Sequence, residues 1–156
     1  MLDTATVTDR VAEIIEAHVV LEGPLLPILH AIQAEFGHVP QTVLPVIAKA
    51  LNLSKAEVHG VMSFYHDFRE VPAGRHVLKL CRAEACQAMG ADRVAAHVQG
   101  ALGVDWHGTT PDGAVTLEPV FCLGLCACGP AAMLDGRLVG RCDETRVDGL
   151  IAEARA

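Results

Sequence analysis

Five of the six cysteines fall in two short stretches. "LKLCRAEACQAMGA", residues 78–91, carries Cys81 and Cys86 as C-x4-C. "VFCLGLCACGPAAML", residues 120–134, carries Cys122 and Cys126 as C-x3-C, with Cys128 two residues further on. Thiols grouped in this way serve as disulfides, as a redox dithiol, as a structural zinc site or as the cradle of an iron–sulfur cluster. A thioredoxin-type dithiol needs C-x-x-C, and the nearest match here is Cys126-Ala-Cys128. Structural zinc accepts four cysteines in pairs two to four residues apart. A [2Fe–2S] cluster needs two thiolates on each of two irons, so two pairs are what it requires. Spacing favours the cluster over zinc and leaves both open. Gly124 and Gly129 would let the backbone come close to such a centre, with amide N–H groups available to its sulfurs.

Composition narrows the choice. Half of the 156 residues are apolar and a fifth are charged, which suits packing and not disorder. The net charge is −7 with no Lys/Arg cluster, so nucleic acid and anionic membrane surfaces are not expected partners. The opening "MLDTATVTDRVAEII" has no apolar core of a signal peptide, and no apolar run reaches the ~20 residues of a spanning helix. A cytoplasmic location without direct membrane insertion is therefore expected. In that reducing compartment, cysteines are metal ligands or buried thiols more often than disulfides.

The elements that must position these thiols belong to the second of two differently punctuated halves. Residues 1–71 read as a small helical bundle. "TVTDRVAEIIEAHV" has Val11, Ile14, Ile15 and Val19 at helical spacing, with Thr6 or Thr8 as N-cap. "GPLLPILHAIQAEFG" opens on Pro24 and closes on Gly37, and "PQTVLPVIAKAL" opens on Pro40. "LSKAEVHGVMSFYHDF" carries the capping box Ser54 and Glu57. Residues 72–156 change character. "HVLKL" and "AVTLEPV" read as strands running into Cys81 and Cys122, with "MGADRVAAHVQGAL" a helix between them. "AAMLDGRLVGR" is a hairpin turning at Asp135 and Gly136, and "DETRVDGLIAEA" is a closing helix capped by Asp143. The order is β-α-β-β-β-α, a small α/β (α+β) domain. Each cysteine pair leaves the end of a strand, so neighbouring strands would bring four sulfurs to one end of the sheet.

"LKLCRAEACQAMGA" and "VFCLGLCACGPA" resemble the two cluster loops of the thioredoxin-like [2Fe–2S] ferredoxin family. Members accompany the NADH- and flavin-binding subunit of respiratory complex I, NAD-reducing hydrogenases and NAD-dependent formate dehydrogenases. "LLPILHAIQAEFGHVP" and "EVHGVMSFYHDF" resemble that family's helical segment, and the likeness spans roughly residues 20–155. The resemblance implies a thioredoxin-like domain in the β-α-β-β-β-α order already read. It also implies one [2Fe–2S] cluster per chain, with Cys81, Cys86, Cys122 and Cys126 as ligands. The chain itself would be non-catalytic, exchanging single electrons with a flavin- and NAD-binding iron–sulfur subunit.

Complex I members usually continue the second motif with Asn-Ala-Pro and an acidic, tyrosine-rich stretch. Here the text is "CACGPAAMLDGRLVGRCDETRVDGLI", with a bare Asp-Gly hairpin. This text and "CRAEACQAMGA" look most like the γ subunit of the NAD-dependent, molybdenum-containing formate dehydrogenases. A molybdenum catalytic subunit is then a partner at one remove, and a homodimer of the isolated chain is an open outcome. The alternatives are the equivalent subunit of complex I or of an NAD-reducing hydrogenase, a free-standing ferredoxin, and a zinc-stabilised scaffold.

Other residues invite weaker readings. Cys128 reads as a thiol near the centre and not a ligand, and Cys142 as a small buried hydrophobe. None of the eight histidines lies in a cysteine loop. Pro130 stands where thioredoxin-like folds often carry a cis-proline. "MSFYHDF", residues 62–68, reads as core packing or as a contact with the other half or with a partner.

Overall fold

The structure is a computed structural model that describes residues 4–156. The chain divides into two compact units, Met1–Pro72 and Ala73–Ala156, each built around its own buried apolar residues.

The first unit is four helices. In α1 (Thr4–His18) the residues Val11, Ile14 and Ile15 are buried, and Val7 packs against the same core. The apolar stripe thus begins a turn earlier than Val11, and the helix starts ahead of it. Thr6 and Thr8, expected as N-caps, consequently lie inside the helix. Val19, expected on the stripe, is 43% exposed because the helix stops at His18. The His18 ring donates from Nδ1 to the Ile14 carbonyl at 2.7 Å, one turn back along the helix.

Helix α2 (Leu25–Phe36) starts after Pro24 and ends on Gly37, whose φ of +75° is the left-handed conformation glycine adopts freely. A single 3-10 turn, Gln41–Val43, leads into α3 (Leu44–Leu51). Helix α4 (Lys55–Phe64) carries the complete capping box. The Glu57 amide donates to Ser54 Oγ at 3.1 Å and the Ser54 amide to the Glu57 carboxylate at 2.7 Å. The bond from the Ser54 amide favours the ionised carboxylate and lowers the Glu57 pKa. Of the three aromatic residues in "MSFYHDF", Phe68 joins the core, its ring centre 4.8 Å from that of His30. Phe64 is 73% exposed, so packing accounts for only part of the cluster.

The second unit is a four-stranded sheet in the order β2-β1-β3-β4, from β1 (His76–Cys81), β2 (Val115–Val120), β3 (Ala132–Leu134) and β4 (Arg137–Val139). β1 and β2 are parallel; β3 runs antiparallel to β1, and β4 to β3. A parallel pair needs a crossover. It is made by α5 (Glu84–Ala88) and α6 (Ala91–Leu102), and α7 (Glu144–Arg155) closes the chain. The expected β-α-β-β-β-α order is present with α5 as an addition. Val94, Val98 and Leu102 of α6 and Val147, Leu150 and Ile151 of α7 share one core with Leu78, Leu80 and Leu117 of the sheet.

The hairpin turns on Asp135 (φ +48°) and Gly136 (φ +86°), the paired positive φ of a two-residue turn that follows the strands' twist. The Asp135 carboxylate also accepts from the Val77 amide at 2.8 Å, tying the turn to the start of β1. Asp143 caps α7 by accepting from the Arg146 amide at 2.8 Å. No helix among the described residues is long and apolar enough to cross a membrane.

We propose that the second unit folds by itself. The fragment Ala73–Ala156, supplied with iron and sulfide, is expected to show the circular dichroism of a folded α/β domain. At this size a core alone is marginal, so bound metal adds stability. A fragment that stays unfolded when so supplied would mean the helices contribute to its core.

Candidate metal centre

Parallel pairing in which Cys81 stands opposite Val120 makes β1 and β2 end side by side. Both cysteine segments therefore start from the same end of the sheet. Cys81 is the last residue of β1, and its amide donates to the Ala131 carbonyl at 2.9 Å. The Arg82 amide then donates to the Val120 carbonyl at 2.7 Å, carrying the β1–β2 pairing one residue further. Helix α5 turns the chain back, with the Cys86 amide donating to the Ala83 carbonyl at 2.9 Å. Both thiols are buried, in one small cluster with Ala91 and Ala131. Cys86 thus rides on a helix and not in an open loop as the sequence suggests. A five-residue helix is too short to leave a periodic signal.

The second segment is built by backbone conformation. Cys122 has φ of +143°, a region that non-glycine residues rarely occupy and that tends to mark functional sites. Gly124, at φ +76°, follows in the left-handed conformation. A 3-10 turn, Cys126–Cys128, then brings the chain back, and the Gly129–Pro130 bond is cis. The result is a Cys122 Sγ to Cys126 Sγ separation of 3.8 Å. Two corners of a tetrahedron around a metal with bonds of about 2.3 Å lie about 3.8 Å apart, so this pair is spaced to chelate one ion. The Gly124 amide donates to Cys122 Sγ at 3.3 Å, a bond of the kind that tunes metal-bound sulfur. Gly129 has no such conformational role. A Cβ there would meet Cys86 Sγ at 3.5 Å, ordinary contact, so close approach does not by itself require glycine.

The two pairs have different surroundings. Burial and the Cys81 thiol push the Cys86 thiol above the ordinary cysteine range, and the Cys122 thiol does the same to Cys126. Cys81 and Cys86 are buried, whereas Cys122 and Cys126 are exposed. Among the described residues no group of three or more His, Cys, Asp or Glu side chains is arranged to hold one metal ion. A mononuclear zinc needs four donors about one point; two separate pairs match a centre with two metals and two thiolates on each. The donor set, its spacing and the N–H···S bond fit a [2Fe–2S] group.

The competing residues have other roles. His76 lies 2.6 Å from Asp135, His97 2.7 Å from Asp148 and His107 2.5 Å from Glu118, each as a surface pair with a carboxylate. Cys142 is buried in the core of the sheet, and burial pushes its thiol up to about 11. All six cysteines are free thiols.

The whole of this arrangement lies within a region with known relatives. The family model described as thioredoxin-like [2Fe–2S] ferredoxin matches residues 11–155. Subunit HndA of the NADP-reducing hydrogenase of Solidesulfovibrio fructosivorans is 34% identical over 144 residues, 92% of this chain and 84% of that protein. A subunit of the NADH-quinone oxidoreductase of Rhizobium meliloti is 36% identical over 132 residues, 85% of this chain and 79% of that one. Among solved structures, the NAD+-reducing [NiFe]-hydrogenase in the air-oxidized state superposes with a TM-score of 0.70 at 26% identity. That likeness covers 84% of this chain but only 22% of the hydrogenase chain.

Replacing one thiol of the exposed pair separates ligands from bystanders. Cys122→Ser is expected to remove most of the visible absorbance of the purified, iron-loaded protein, whereas Cys142→Ser leaves the spectrum unchanged. Equal spectra for the two variants would remove Cys122 from the ligand set.

Proposed function

The chain belongs to the thioredoxin-like [2Fe–2S] ferredoxin family, and from that premise we propose that it is the electron-transfer subunit of an NAD-dependent oxidoreductase complex. Its cofactor is a [2Fe–2S] cluster, which supplies one-electron chemistry. Cys81, Cys86, Cys122 and Cys126 are the proposed ligands.

The observation that carries this reading is the asymmetry of the two pairs. Cys81 and Cys86 are enclosed, while Cys122 and Cys126 reach the surface. Phe121, directly before Cys122, is 75% exposed, and Met89, three residues after Cys86, is 61% exposed. Large apolar side chains exposed beside the two cysteine segments are what a protein partner covers. Electrons then cross at the face where the ligands are thinnest. Relatives named as subunits of NADH-quinone oxidoreductase and NADP-reducing hydrogenase support the same kind of assembly. The partner proposed is a flavin- and NAD-binding iron–sulfur subunit. A flavin exchanges a hydride with nicotinamide, and a neighbouring one-electron carrier accepts what the flavin passes on singly.

Within that class the parent enzyme proposed is a cytoplasmic, NAD-dependent formate dehydrogenase with a molybdenum catalytic subunit. "CRAEACQAMGA" and the bare hairpin at Asp135–Gly136 support it against the equivalent subunits of complex I and of the NAD-reducing hydrogenases. The sequence carries no Rossmann glycine fingerprint and no P-loop, so neither NAD binding nor formate oxidation is assigned to this chain.

Mixing tests the assignment. The isolated oxidised chain is expected to keep its colour when NADH or formate is added, and to bleach with either only in the reconstituted complex. Rapid bleaching of the isolated chain would reveal a substrate site of its own. Bleaching of the complex by NADH but not by formate would support a different parent enzyme.

A further inference from the structure

The segment between β4 and α7, Gly140, Arg141 and Cys142, touches the second cysteine segment along its return path. Gly140 is not among the glycines with positive φ, so its conformation is open to other residues. Space is what restricts it. A Cβ on Gly140 would lie 2.9 Å from Cys128 Cβ and 3.1 Å from the Cys128 carbonyl oxygen, closer than side chains tolerate. The next two residues hold the same backbone by hydrogen bonds. The Arg141 amide donates to the Cys128 carbonyl at 2.5 Å, and the Cys142 amide to the Pro130 carbonyl at 2.8 Å. Arg141 takes up a left-handed φ of +48° there. Cys142 is anchored in the main core at 1% exposure.

The gripped residues lead straight to the ligands. Cys128 closes the 3-10 turn that Cys126 opens, and its own amide donates to the Leu125 carbonyl at 2.8 Å. On the other side, Ala131 accepts from the Cys81 amide at 2.9 Å. Residues 128–131 are thus held between the strap 140–142 and the first ligand of the buried pair. Cys126 has no burial of its own to fix it.

We propose that Gly140 and Arg141 are positioning residues of the cluster, a strap that sets where Cys126 stands relative to Cys122 and Cys81. This rests on the ligand assignment above. A methyl group at position 140 has to push the Cys128 backbone, and the turn carries that displacement to Cys126. Both residues meet Cys128 and neither is a proposed ligand, so the strap acts on the geometry of a ligand.

The test is Gly140→Ala in the full chain, loaded with iron and sulfide. It is expected to change the EPR g-values, shift the reduction potential and speed loss of colour to a chelator by about tenfold, the change that matches a typical overpacking penalty. Gly100→Ala, on α6 where a Cβ meets open space, is expected to change none of these. Adding Cys128→Gly to Gly140→Ala removes the closest contact and is expected to bring the signal back toward that of the native chain. Should Gly140→Ala fail to fold, hydrogen exchange on the native chain decides. The Arg141 and Cys142 amides are expected to exchange faster without the cluster than with it, while Val139 does not change. Unaltered g-values, potential and release rate in folded Gly140→Ala, or equal exchange with and without the cluster, would overturn the strap. If instead Cys126→Ser leaves the cluster signal of the native protein intact, it is the ligand assignment that fails.

Discussion

The in-register parallel pairing of β1 with β2 is the constraint from which the centre follows. Because Cys81 is opposite Val120, the chain leaves both strands at one level and both cysteine segments open over the same end of the sheet. A slip of one residue would reverse which face each side chain occupies. Leu78 and Leu80 would leave the core, and Cys81 would no longer be buried beside Cys86. The register is held by apolar burial on α6 and α7, not by the thiols.

On that scaffold the two proposed ligand pairs are made by different means. The first is compact: a strand end and one short helix, with both thiols enclosed. The second is a run of unusual backbone, with Cys122 and Gly124 at positive φ and the return path gripped by residues 140–142. Local strain of this kind persists only where surrounding structure enforces it. The division suits an electron carrier. On the proposed assignment, the buried pair keeps the group in place and the exposed pair gives it an edge from which an electron can leave to a docked partner.

Much of this is legible in the amino-acid sequence because the relevant signals are local. C-x4-C and C-x3-C mark the thiols, Asp-Gly marks the hairpin, and Ser54 with Glu57 marks the start of α4. What escapes depends on distant or very short features. Helix α1 starts before its apparent caps because Val7 extends the apolar stripe, and only packing against the other helices reveals that. Helix α5 has too few residues to show a period. Gly129 stands out in the sequence as the glycine beside the centre, yet the glycine that crowds the second cysteine segment is Gly140, beyond the hairpin. No spacing rule connects Gly140 to Cys128. The fold brings them together.

The two thiol pairs are proposed to hold two irons, one each. Anomalous diffraction at the iron edge from crystals of the loaded protein measures this directly. Two resolved iron positions are predicted, one bonded by Cys81 and Cys86 and the other by Cys122 and Cys126. A single metal bonded by all four cysteines, or an iron bonded by Cys128 in place of Cys126, would contradict it.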